Sequence, residues 1–210
     1  MTFENVHVIA HPLIQQKLTE ARDRQTSVER FRALLGQIAM LMAFELTRDY
    51  PTRSTRVRTP LAECAGCQLA VDLTLVPVLR AGLGMTDGIL TLIPQARVGH
   101  LGLYRDEKTL EPVTYYNKLP PDIADSDVIV IDPMLATGGS LCAAIDLIKA
   151  TGARRIKILC LVASPVGIRT VARTHGDVPI YTAAIDDALD ERGFIVPGLG
   201  DAGDRIFGTS

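Results

Sequence analysis

The sequence contains no tryptophan, few aromatic residues and only four cysteines in 210 positions. It has no apolar run approaching the ~20 residues that cross a bilayer, so no spanning helix is expected. The first residues, MTFENVHVIAHPLIQQK, lack a basic stretch leading into a long apolar one. A secretory signal is therefore not expected, and the cytoplasm is the expected location. Lys and Arg number 22 against 24 Asp and Glu, with no block of one sign. That balance argues against nucleic acid or a membrane surface as partner. Cys64 and Cys67 form a lone C-x-x-C. A structural zinc site would need a second ligand pair at similar spacing, and none is present. The plain reading is two small residues near a strand or turn. Cys142, on a predicted helix, and Cys160, in a predicted strand, read as core residues. No Ser/His/Asp or Cys/His arrangement is legible, and His7, His11, His100 and His175 form no motif.

Hydrophobic residues make up 47% of the chain, enough for one substantial core. Residues 1–50 read as helical. Thr26 and Glu29 make a T-x-x-E capping pattern, and Val28, Phe31, Leu35, Ile38 and Met42 recur on one helical face. Pro51 ends that helix. Across 70–185 short apolar runs appear instead: Leu73 to Val78, Val98 to Tyr104, Val128 to Ile131, Ile156 to Val162 and Ile180 to Ile185. Continuous hydrophobic runs alternating with helices predict an α/β fold, a mostly parallel twisted sheet with helices on both faces. Ligands of such sheets sit beyond the carboxyl ends of the strands.

The sharpest signal follows the third of those runs. Asp132 stands at the strand end, and Pro133 has no N–H with which to continue the ladder. Met134 and Leu135 lead into Ala136-Thr137-Gly138-Gly139-Ser140, a loop of small residues. Leu141, Ala144, Ile145 and Ile148 then mark one helix face, ended near Gly152. A loop of amides opening a helix captures anions, and the helix dipole favours negative charge there. The Thr137 and Ser140 hydroxyls add donors, and Asp132 suits sugar hydroxyls. This is neither a G-x4-G-K-[ST] phosphate loop nor a G-x-G-x-x-G dinucleotide motif.

DPMLATGGS (132–140) closely resembles the phosphoribosyl pyrophosphate (PRPP) motif of uracil phosphoribosyltransferases. Other type I phosphoribosyltransferases usually carry two acids where this chain has Asp132-Pro133. HPLIQQKLTEARD (11–23), VPVLRAGLGM (76–85), GLYRDEKTLEPVTYYNKLP (102–120) and VPGLGDAGDRIFGT (196–209) resemble the same family in order. The resemblance implies a type I phosphoribosyltransferase fold over 1–210, with a helical segment at 1–50, a core sheet at 70–185 and a base-binding hood at 186–210. It implies PRPP contacts from Arg80, Arg105, Asp132, Pro133, Met134, Leu135, Ala136, Thr137, Gly138, Gly139, Ser140 and Asp201. Among these, Arg80, Arg105 and Asp132 carry the catalytic roles, and the stretch after Arg105 is a flap. Ile195, Gly200, Asp201 and Ala202 line the uracil site. The implied reaction is displacement at the anomeric carbon of PRPP by uracil N1, giving UMP and diphosphate. Mg²⁺ is the implied cofactor, held mainly by PRPP rather than by protein side chains. A homo-oligomer, dimer or larger, is expected, and GTP is a candidate effector. The chain departs from the family at Val166, in Ser164-Pro165-Val166-Gly167, where an acid is usual. Three rival readings remain at this point: a transferase acting on a purine or orotate, an RNA-binding sensor of PRPP or UMP, and a purely structural module.

Overall fold

A computed structural model of the chain describes residues 3–105 and 112–209. In chain order the elements are β1 (Val6–Val8), α1 (Pro12–Arg22), α2 (Val28–Leu46), β2 (Thr52–Arg58), β3 (Glu63–Leu69), β4 (Leu73–Leu79), α3 (Leu83–Leu92), β5 (Arg97–Val98), β6 (His100–Arg105) and β7 (Pro112–Lys118). They continue with β8 (Asp127–Ile131), β9 (Met134–Leu135), α4 (Gly139–Lys149), β10 (Arg155–Ala163), α5 (Pro165–Thr174), β11 (Ile180–Ile185), β12 (Ala188–Leu189), β13 (Ile195–Val196) and α6 (Ala202–Phe207).

The central sheet runs β1-β11-β10-β8-β4-β6-β7, with β5 beside β4 and β9 beside β10. Its pairs are parallel except β6 with β7. Both faces are covered, and the side-chain period of two sorts each strand between them. Leu73, Leu75, Ile129, Ile131, Leu159 and Leu161 join the core that holds Ile14, Phe31, Ile38 and Met85 from α1, α2 and α3. Val76, Val78, Val128, Val130, Ile158 and Cys160 join the opposite core with Ile145 of α4 and Ile168 of α5. The expected fold class is the observed one. The continuous apolar runs make sense as strands sandwiched on both sides.

Several boundaries differ from the sequence reading. The helix start falls at Ser27, whose hydroxyl accepts from the Arg30 N–H at 3.3 Å. The Thr26 hydroxyl is already engaged, donating to the Glu20 carbonyl at 2.6 Å. Val28 is exposed rather than buried. The run from Val98 to Tyr104 breaks at Gly99 into β5 and β6. Residues 1–50 are not wholly helical, since β1 pairs with β11 at the sheet edge.

The β2–β3 hairpin forms its own two-stranded sheet. Cys64 lies opposite Val57 and Cys67 opposite Ser54. Three residues apart on one strand, the two thiols point to opposite faces, ~10 Å apart along the chain. That separation suits neither a disulfide between them nor a shared metal ion. Among the described residues no helix is long and apolar enough to cross a membrane.

Helices α2 and α3 meet at two glycines. A β-carbon on Gly88 would lie 1.9 Å from the Gly36 carbonyl oxygen, which is backbone and cannot rotate away. Gly88→Ala is therefore expected to force the helices apart and cost about 3 kcal/mol. Denaturant unfolding measures this, and an unchanged midpoint would show that the two helices separate freely.

Candidate active site

Asp132 follows directly on β8, its N–H still donating to the Leu159 carbonyl at 3.2 Å. Its Oδ1 accepts from the Met134 N–H at 3.2 Å. Burial pushes its carboxyl up to about 7, and the Met134 N–H offsets only part of that rise. Pro133 interrupts the ladder without ending it. Its carbonyl accepts from both Leu161 N–H, at 3.0 Å, and Val162 N–H, at 3.1 Å. Pairing resumes at once, with Met134 beside Val162 and Leu135 beside Ala163.

The loop then turns its carbonyls inward. The Ser164 N–H donates to the Leu135 carbonyl at 2.9 Å, and the Ser164 hydroxyl donates to the Ala136 carbonyl at 2.5 Å. Ser164 is fully buried and also caps α5, its hydroxyl oxygen accepting from the Gly167 N–H at 2.9 Å. In a planar trans peptide the C=O and N–H point opposite ways. Tying back the Leu135 and Ala136 carbonyls therefore turns the Ala136 and Thr137 N–H groups outward. Gly138 has φ +87°, a conformation that disfavours a side chain, and it caps α4 without a side-chain partner. The first turn of α4 keeps its N–H groups available for a ligand. Around these amides lies a small hollow of about 80 Å³, lined by Asp132, Met134, Leu135, Ala136, Thr137, Gly138, Ser140 and Leu141.

A second hollow, of about 210 Å³, shares Asp132, Met134 and Ala136 as a common wall. Its other lining residues are Ala81, Gly193, Phe194, Ile195, Gly200, Asp201, Ala202 and Gly203. The C-terminal segment reaches it through the β12–β13 hairpin and the short α6. Asp201 begins α6, its Oδ1 accepting from the Asp204 N–H at 2.9 Å. The four residues expected at a base site thus come together opposite the loop expected at a phosphate.

The remaining expected residues are placed differently. Pro133 and Gly139 belong to the loop but do not line the first hollow. Arg80 follows β4 after a cis Leu79–Arg80 peptide and lines neither hollow. Its guanidinium donates to Asp204 at 3.2 Å and lies 5.6 Å from the Phe207 ring centre. Arg105 ends β6, but its side chain and residues 106–111, where the expected flap begins, lie outside the described residues. Val166, where the family has an acid, is exposed on the first turn of α5. Sequence reasoning missed Ser164, although a serine before proline at a helix start is a capping signal. Phe194, Gly193, Gly203 and Ala81 carry no such signal, because only folding brings them to the second hollow.

A nine-stranded, mostly parallel sheet carrying an amide-ringed hollow at a strand end, with a second hollow beside it, is a type I phosphoribosyltransferase architecture. It is similar, at TM-score 0.52 and 20% identity over 74% of this chain and 87% of the other, to the purine phosphoribosyltransferase from Pyrococcus horikoshii Ot3. That likeness shows the fold alone. The model of the family described as uracil phosphoribosyltransferase matches residues 8–209, and this chain belongs to that family. The protein named uracil phosphoribosyltransferase in Symbiobacterium thermophilum is 58% identical over 97% of this chain and 98% of its own length. Its namesake in Geobacillus kaustophilus is 55% identical over the same shares. The solved AQ2163 protein from Aquifex aeolicus superposes at TM-score 0.93, with 35% identity over 98% of this chain and 99% of the other.

The raised value of Asp132 has a stability consequence. A carboxyl that ionises less readily when folded favours the fold only while protonated. Its contribution is thus lost as pH climbs from the ordinary value of 3.8 to about 7. Asp132→Asn in the ligand-free protein should match wild type near pH 4 and exceed it by a few kcal/mol at pH 8. Melting temperatures across that range test this, and a gap that does not change with pH would show that the group does not titrate there.

Proposed function

We propose that this chain transfers the phosphoribosyl group of PRPP to N1 of uracil, forming UMP and diphosphate. The observation carrying this reading is the shared wall of Asp132, Met134 and Ala136 between the two hollows. A ribose lying across that wall would place its 5′-phosphate among the loop amides and its anomeric carbon toward the glycine-lined hollow. Asp132 is then positioned to accept hydrogen bonds from the ribose hydroxyls. These bonds favour the ionised carboxylate and offset its desolvation. The outward N–H groups of Ala136 and Thr137, the amides opening α4, and the Thr137 and Ser140 hydroxyls hold the phosphate.

The chemistry needs a diphosphate to leave as uracil N1 attacks. Arg80 directly precedes Ala81, which lines the second hollow. Its long contact to Asp204 is largely exposed, a pairing of small net energy that a diphosphate can displace. Arg105 is assigned to the same diphosphate from the family motif. The described residues contain no cluster of three or more His, Cys, Asp or Glu able to hold a metal. The donors on the walls, Asp132 and Asp201 carboxylates and the Thr137 hydroxyl, are hard oxygens that fit Mg²⁺ bound chiefly through diphosphate and water. When bound, Mg²⁺ would offset charge building on the leaving diphosphate. Rate enhancement then comes from positioning and electrostatics. The base meets backbone amides and carbonyls of the 193–203 segment. Cytosine reverses the donor–acceptor pattern of uracil at its exocyclic group and N3. Each buried partner left unpaired would cost about 1–3 kcal/mol.

Protein, PRPP and Mg²⁺ incubated with uracil, cytosine, orotate or hypoxanthine should yield nucleotide with uracil alone. Nucleotide from another base, or from none, overturns the assignment. Asp132→Asn should lower kcat/KM by about 10²-fold, as for other preorganised polar groups. Gly138→Ala should instead chiefly raise the KM for PRPP. Its new methyl carbon would sit 3.0 Å from the Gly167 carbonyl and in a left-handed conformation, displacing the loop amides.

A further inference from the structure

We propose that Arg22 and Asp186 are positioning residues that hold the base-reading turn, so that they set affinity for the base without touching it. This rests on the reading of the second hollow as the base site. Asp186 follows directly on β11 and is buried, with 8% of its side chain exposed. Arg22, the last residue of α1, grips it with two parallel bonds: Nη1 to Oδ2 at 2.7 Å and Nη2 to Oδ1 at 2.8 Å. Arg22 Nη1 also donates to the Gly198 carbonyl at 2.8 Å, and the Gly198 N–H donates to Asp186 Oδ2 at 2.8 Å. One ion pair therefore satisfies both backbone groups of Gly198.

Gly198 lies between Ile195 and Gly200, which both line the second hollow, whereas Arg22 and Asp186 do not. Arg205 adds a second hanger. Its Nη1 donates to Leu199 O at 2.9 Å and Ala21 O at 2.7 Å, and its Nη2 to Asp23 O at 2.7 Å. The turn is thus suspended from the end of α1 on both sides of Arg22. Asp186 is also tied to the end of β10 through its backbone, because its N–H donates to Ala163 O at 2.9 Å. Ala163 immediately precedes Ser164, which holds the phosphate loop. The clamp therefore joins the base turn to the framework that carries the loop, and it sets the spacing between the two hollows.

Energetics favour a geometric role over a stabilising one. Desolvating a buried pair offsets much of its attraction, and apolar pairs of similar volume often serve stability as well. Such a pair does supply direction, since the guanidinium fork and the carboxylate fix each other in a plane. An apolar replacement could keep the protein folded yet leave both backbone groups of Gly198 without their two bonds.

The test is steady-state UMP formation by wild type, the double variant Arg22→Met/Asp186→Leu, and Asp186→Asn, with melting temperatures recorded for each. We expect folded variants whose KM for uracil rises about tenfold while KM for PRPP stays within twofold. A parallel rise in both constants, or an unchanged uracil KM in a folded variant, overturns the clamp. If the double variant does not fold, the same split in Asp186→Asn decides. A wild type that forms no UMP sinks the activity and the clamp's role together. An active wild type with unaffected variants sinks the clamp alone.

Discussion

The orientation of two peptide groups organises this molecule. Ser164, buried where β10 gives way to α5, draws the Leu135 and Ala136 carbonyls toward the sheet and leaves the following N–H groups facing out. The same hydroxyl caps α5, so the helix start and the amide ring share one side chain. A ring of amides does not need a basic protein around it. That is why a net charge of -2 is compatible with the sugar-phosphate site proposed for this loop.

Asp132 shows what the surroundings ask of a functional group. At the end of a strand packed on both sides it is partly buried, with one amide donor among the described residues, and that burial raises its carboxyl to about 7. In the proposed reaction, hydroxyl donors of a bound sugar would favour the charged form and oppose that rise. Stability and function pull in opposite directions at this residue, as is common where a polar group is buried for chemistry.

The base side is assembled on a different principle. Short pieces, β12, β13 and α6, contribute little apolar core beyond Ile195, Leu199, Ala202 and Ile206, and take their position from polar bonds to the end of α1. Backbone groups in such a segment can read a planar heterocycle, provided something fixes the peptides. Arg22 and Arg205, from distant parts of the chain, bond the Gly198 and Leu199 carbonyls, while the glycines permit the turns.

The fold class was legible because strands covered on both faces are written as unbroken apolar runs, as at Val128 to Ile131, and because helix α4 repeats its apolar face with the right period. The loop 132–140 stood out because a strand, an acid at its end and a following helix frame its small residues, and family resemblance extended that reading to the tail. The hairpin β2–β3 was not legible. Its residues are mostly exposed and polar, so no burial pattern marks them. Nor could sequence show that Pro133 lets the ladder resume, since that depends on two N–H groups of β10 converging on its carbonyl. Sequence by itself determined the apolar strands and the small-residue loop between β8 and α4, because periodicity and loop chemistry are local. Only the tertiary structure decided that the two hollows share a wall and that Arg22 and Asp186 bond Gly198 while Ser164 bonds Leu135 and Ala136. Those contacts join residues up to 176 positions apart, a separation that no local pattern encodes.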